Sequence, residues 1–262
     1  MRWLTALALL AACGGGGSSG DDVGGDDQPP GDAKHLDAAI DITELSGEFT
    51  CAGVAWPTTA PDPLSLIARV KDSIGGVNVV GAAVEIRKRS DDTVLVMDTS
   101  ATGGIFAFNI ATAGTAPAIY RKATLAGHLD GYTYDPFPPF DTNHPQRHIY
   151  VPTAANRDTY YAAAGITSDP AKSTVLVEIF DCIDIQVYGA TIEAPGAAKI
   201  IYLDDSGAPS AAQFSTGSPG IAVALNVPVG AADITVHAGS VVYRAVPVTS
   251  RANSFIYAPR LP

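Results

Sequence analysis

The sequence predicts an all-β protein: two tandem β-sandwich modules joined by one short helix and preceded by a disordered tether. Three observations predict it. Short apolar runs of strand period recur every 8–12 residues, with Gly, Asp and Ser clusters between them. The order of runs and turns in the first half returns in the second. The chain of 262 residues is 47% apolar and only 16% charged, with 26 Gly and 19 Pro, which supplies both a core and its turns.

The charge balance narrows the partners. Lys and Arg number 16 against 27 Asp and Glu, a net of −11. Phosphate recognition needs clustered cations, so nucleic acid is excluded. Between residues 14 and 62 there are ten acids and one base, Lys34, so most of the acidity lies outside the predicted modules. Three Cys are too few for a disulfide scaffold or a four-Cys zinc site.

Residues 1–12 read as a signal segment. Met1-Arg2 is a minimal positive start, and Trp3 to Ala12 is apolar. As a helix of ten residues it spans about 15 Å, half a bilayer core, too short for a permanent span. The stretch closes on Leu10-Ala11-Ala12-Cys13 and a Gly run, which resembles the bacterial lipobox. That resemblance implies cleavage before Cys13, diacylation of its thiol and acylation of its new amine, with membrane attachment through lipid such as palmitate. Gly14 in place of Asp after the lipid Cys favours the outer membrane. Residues 13–62 form the tether and lead-in. The segment GGGGSSGDDVGGDDQPP reads as a solvated spacer. Its Asp21, Asp22, Asp26 and Asp27 lack EF-hand spacing. Residues 35–50 are expected to form a short helix or strand leading into the body.

The first module covers 63–152. Leu66, Ala68 and Val70 alternate with Ile67, Arg69 and Lys71, and Val84, Ile86 and Lys88 with Glu85, Arg87 and Arg89. Thr93 to Met97 and Ile105 to Ile110 are further strands, and a fifth runs from His148 to Val151. The linker, 153–171, holds a helix from Arg157 to Ala164, with Asn156 as N-cap and Gly165 as the residue that ends it. Tyr160 and Tyr161 on it are placed to wedge the modules together. The second module covers 172–262, with strands at Val175 to Phe180, Gly189 to Ile192, Lys199 to Leu203, Gly220 to Val227, Asp233 to Ala238 and Val241 to Val248.

The halves match in detail. Val70-Lys71-Asp72 leads to Gly81-Ala82-Ala83-Val84, and Phe180-Asp181-Cys182 leads to Gly189-Ala190-Thr191-Ile192. Gly104-Ile105-Phe106-Ala107-Phe108 matches Gly220-Ile221-Ala222-Val223-Ala224, and Gly131-Tyr132 adds a Gly-Tyr step. This order resembles the carboxypeptidase-regulatory-like family, a transthyretin-like (prealbumin-like) sandwich of about seven strands. The resemblance covers roughly 64–135 and 172–258; the second copy departs from it at Ala222 and lacks the Gly-Tyr step.

Catalytic chemistry is not evident. There is no G-x-S-x-G elbow and no P-loop, and no cofactor is implied. His144 and His148, with Asp141 nearby, have a zinc-like spacing, but Pro145 breaks the helix that would align them. His128 reads as a structural histidine, and Asp204-Asp205-Ser206-Gly207 as a hairpin turn. Cys51 and Cys182 either pair, closing a long loop, or sit as small buried apolar side chains. Tyr132, Tyr134, Phe137, Phe140 and Tyr150 serve either as packing or as a ligand surface. The expected function is a non-enzymatic, lipid-anchored cell-envelope protein with a structural, adhesion or protein-docking role. The alternative is a carbohydrate- or small-ligand-binding module using the aromatics of 132–150.

Overall fold

A computed structural model of the chain describes residues 45–73, 75–136 and 148–262. The chain falls into two units, Met1–Ala39 and Ile40–Pro262, and the description is of the second. The signal segment, Cys13, the Gly/Asp spacer, Phe137, Phe140, Asp141 and His144 lie outside the described residues.

The chain is mostly β. The first half contributes β1 (Leu64–Lys71), β2 (Ala83–Lys88), β3 (Val94–Thr99), β4 (Ile105–Ile110), β5 (Ile119–Thr124), β6 (Asp130–Thr133) and β7 (Ile149–Tyr150). Helix α1 (Ala154–Ala164) follows. The second half contributes β8 (Ser173–Glu178), β9 (Thr191–Glu193), β10 (Lys199–Leu203), β11 (Pro209–Ser210), β12 (Ile221–Val227), β13 (Gly230–Ala232), β14 (Thr235–Ala238), β15 (Val241–Val242), β16 (Val248–Ser250) and β17 (Ser254–Tyr257).

Alternation on β1 has its expected effect: Leu64, Ala68 and Val70 turn inward while Ser65 and Ile67 face water. They pack with Val84, Ile86, Phe106, Phe108 and Ile149 into a core between the sheet β4-β1-β7 and the β2-β5 region. The second half has its own core, where Val175, Val177, Ala222 and Ala224 meet Ile192 and Val236 of the small sheet β15-β14-β9.

One nine-stranded sheet runs through both halves in the order β11-β10-β12-β8-β17-β6-β5-β2-β3. The joint is β17, which pairs parallel to β8 on one side and to β6 on the other. Every residue of β12 and β17 is buried. Alternation fails there because both faces are covered. Leu176, Val223, Phe255 and Tyr257 turn away from the second core and pack beneath Tyr160 and Tyr161 of α1. The continuous apolar runs in this part of the sequence follow from that double burial.

The helix starts three residues before its expected position. Thr153 is the N-cap, its hydroxyl accepting from Asn156 N at 3.2 Å. Asn156, expected as the cap, instead donates its side-chain amide to Asp72 Oδ2 at 2.8 Å. Gly165 ends the helix at φ 68°. The lead-in from residue 45 to 50 forms neither helix nor strand. Strands β5 and β17 were not among those expected from the sequence.

Two turn assemblies, one per half, make the same bonds. Gly81 N donates to Ser100 O and Gly189 N to Thr216 O, both at 2.8 Å. The Ser100 hydroxyl accepts from Ala82 N at 2.9 Å and donates to Val79 O at 2.8 Å. The Thr216 hydroxyl accepts from Ala190 N at 3.0 Å and donates to Val187 O at 2.7 Å. A Cβ on Gly104 would meet Val70 O at 2.5 Å, and one on Gly220 would meet Ile179 O at 2.8 Å. These equivalences pair Asp72 with Asp181, one residue away from the alignment that set Asp72 against Cys182. The backbone agrees: Asp72 N reaches Val77 O, and Asp181 N reaches Ile185 O.

Candidate functional site

The chemically conspicuous residues converge where the halves meet. Tyr120 on β5 and Tyr134 after β6 stack with ring centroids 5.1 Å apart. Arg251, from the turn between β16 and β17, lies over the rings of Tyr132 and Tyr120, 4.5 Å and 5.1 Å from their centroids. Its Nη1 donates to the Tyr134 hydroxyl at 2.5 Å, and its Nη2 reaches both oxygens of Asp92 at 3.3 Å. The Tyr120 hydroxyl donates to Asp92 at 2.8 Å. That bond, with Arg251 beside it, holds the Asp92 carboxyl below its usual range. Burial, and then Asp130, pushes the Tyr132 phenol up to about 12; burial and the Asp92 bond raise Tyr120 as well.

Three residues of the candidate ligand surface are largely covered. A sugar stacks on an exposed ring face, whereas Tyr132, Tyr134 and Tyr150 are 5%, 2% and 5% exposed. Arg251 occupies the faces of Tyr132 and Tyr120, and Arg89 lies 5.6 Å over Tyr134. Tyr150 packs edge-on to Tyr257 at 5.0 Å. Phe137 and Phe140 lie outside the described residues.

Below the cage, Arg121 and Asp135 form a buried ion pair, and Arg89 Nη2 donates to Asp135 O at 2.6 Å. Arg260 is fully buried, and its Nε and Nη2 find no partner among the described residues. Burial, reinforced by the Arg89 charge, pushes its guanidinium down to about 9.

Cys51 and Cys182 are joined by a disulfide, their Cα atoms 5.7 Å apart. Hydrogen bonds flank it: Glu48 N donates to Asp181 Oδ2 at 3.0 Å, and Cys182 N donates to Glu48 O at 2.8 Å. Phe49 meets Tyr243 edge-on at 6.4 Å, and Arg244 donates to Val54 O while lying 5.9 Å over Trp56. The lead-in thus sits first on the second half and then crosses to the first, where the Thr58 carbonyl accepts from Ala116 N, Ala60 N donates to Gly114 O and the Asp62 carboxylate accepts from Thr112 N. Trp56 and Arg244 were not singled out in the sequence. A Trp shortly before a strand was the available signal, but its Arg partner is far along the chain.

Two clefts adjoin these joints. One, of about 250 Å³, lies between the halves and is lined by Lys71, His148, Tyr150, Glu178, Gln186 and Tyr257; the Tyr257 hydroxyl donates to Glu178. The other, of about 460 Å³, is mostly apolar and lies beside Trp56, Pro57 and Arg244. Elsewhere, His128 Nδ1 lies 3.3 Å from Ala126 O. Asp204 accepts from Ser206 N and Ala208 N as a turn, and the Ser206 hydroxyl lowers its carboxyl. Among the described residues no cluster of three His, Cys, Asp or Glu is placed to hold a metal ion, and no helix is long and apolar enough to cross a membrane.

No family model and no curated protein matches the chain. Solved structures similar to parts of it include the Bacillus anthracis TIE protein, at 12% identity and TM-score 0.26, covering 76% of this chain and 33% of that one. The chain therefore spans about a third of that protein's length. The shaft pilin SpaA of Lactobacillus rhamnosus GG matches at 11% identity and TM-score 0.25, over 76% of this chain and 98% of that one. A streptococcal ancillary pilin matches at 11% identity and TM-score 0.26, over 78% and 63%. Likenesses with TM-scores this low bear on neither mechanism nor role.

Proposed function

We propose that the protein is a non-enzymatic, lipid-anchored component of the cell envelope, in which two copies of a transthyretin-like sandwich act in structure, adhesion or protein docking. The copies run over 63–152 and 172–262, with 153–171 as linker. The matched hydroxyl assemblies at Ser100 and Thr216 support duplication, because each solves the same turn with the same four bonds. The observation that carries the role is the Arg251 cage. Cations, phenols and a carboxylate that elsewhere would make a reactive or ligand-binding cluster are here committed to one another across the joint. Such a joint makes a stiff double module rather than a reaction centre.

Anchoring rests on Leu10-Ala11-Ala12-Cys13, and Gly14 favours the outer membrane. Metabolic labelling with a fatty-acid probe tests it. The wild-type chain is expected to take up label and begin at Cys13, with Cys13→Ser unlabelled. A wild-type chain that stays unlabelled overturns the anchored reading.

A further inference from the structure

Three large apolar side chains stand out at one end of the second half. Ile183 and Ile185 are 62% and 54% exposed, and Phe214 is 81% exposed. Their loops adjoin. The Asp181 carboxylate accepts from Ile183 N and Ile185 N, which fixes the first loop. Gly189, at its end, donates to Thr216 O, two residues beyond Phe214. Side chains of this size, more than half exposed, together offer on the order of a few hundred Å² of apolar surface.

The chain also enters the folded body here. Tyr188 N lies 3.4 Å from Ser46 Oγ, and Cys182 N donates to Glu48 O, so residues 46–48 run beside the loop that carries both isoleucines. The disulfide and the Glu48–Asp181 bond pin that entry point in place. Upstream of Leu45, Cys13 is 32 residues away, a reach of at most about 110 Å fully extended. The equivalent loop of the first half is used otherwise: the Asp72 carboxylate there accepts from Thr153 N and Asn156 at the start of α1.

We propose that Ile183, Ile185 and Phe214 form a shallow insertion patch that seats the second half on the bilayer to which the Cys13 lipid holds the chain. This rests on the lipid-anchored reading. The charge around the patch selects the lipid. Residues 45–54, 181–189 and 204–220 contain no Lys or Arg but include Glu48, Asp181, Asp184, Asp204 and Asp205, against the one cation of Arg244, which donates to Val54 O. An anionic surface repels such a rim, so the occupant is the interfacial zone of a zwitterionic bilayer, entered by apolar side chains alone.

The test uses the full lipidated protein in phosphatidylcholine vesicles containing bromine-labelled lipid. Phe214→Trp places a fluorophore at the tip, and the unaltered chain gives the Trp56 background. The added emission is expected to be quenched about twofold more than that background, and less when anionic lipid is included. Ile183→Ser with Ile185→Ser, both at exposed positions, is expected to weaken the quenching while leaving thermal unfolding unchanged. A lipid-bearing chain whose added fluorophore is unquenched by bromolipid, or is quenched more with anionic lipid, overturns the patch while leaving the anchor intact. A chain with no lipid on Cys13 overturns the anchor and the patch together.

Discussion

Tyr132 and Tyr134 show what a single residue can and cannot reveal. Their ring chemistry is evident from the sequence, but the group that occupies those rings is not: Arg251 lies 117 positions beyond Tyr134. An aromatic pair near prolines reads equally as a ligand platform or as packing until that cation is placed. Buried phenols also have a measurable signature. Burial pushes Tyr132 and Tyr160 each up to about 12 from an ordinary value of 10.0. A phenol raised in the folded state stays protonated while the unfolded chain ionises. Its contribution is therefore intact below pH 10 and lost as pH rises from 10 to about 12. Urea midpoints are expected to stay level to about pH 10 and then fall. Tyr132→Phe keeps the ring but removes one phenol proton, so the fall should be shallower. An unchanged slope in that variant would show that Tyr132 does not take part in the alkaline transition.

Among the elements, legibility follows how local the determining contact is. Strands β1 and β4 alternate against a single core, and Gly81, Gly104, Gly189 and Gly220 all take positive φ, so both features are evident from short stretches of sequence. Strand β5 is obscured because Arg121 points inward to Asp135, a charge that breaks any apolar pattern. Strand β17 has only four residues and is stabilised by neighbours from both halves. Asn156 does not cap the helix because its side-chain amide is held by Asp72, far upstream. The hydroxyls of Ser100 and Thr216 look like ordinary turn residues, yet each is almost fully buried and satisfies one N–H and one carbonyl. Ser100→Ala and Thr216→Val each strand both groups, at a cost of about 1–3 kcal/mol. Chemical denaturation should give similar losses for the two, because the bonds are equivalent. A loss at one site and none at the other would break the correspondence between the halves.

At the scale of the whole molecule, sequence order and spatial order diverge. The lead-in precedes the first half in the chain but is also cross-linked to the second, and the last strand, β17, lies between β8 of the second half and β6 of the first. Neither half can therefore open without exposing an apolar strand of the other. The disulfide encloses 131 positions, including the whole first half, and loop entropy assigns about 5 kcal/mol as an upper figure for such a closure. Oxidised protein is accordingly expected to unfold in one calorimetric transition, despite its two cores. Cys51→Ser with Cys182→Ser should lower that transition but keep it single, since β17 still bridges the halves. Adding Arg251→Ala removes the cage at the same joint, and the transition should then broaden or divide. Two resolved transitions in the oxidised wild-type chain would mean that the sheet is continuous in geometry but not in cooperativity, and that β17 follows one half alone.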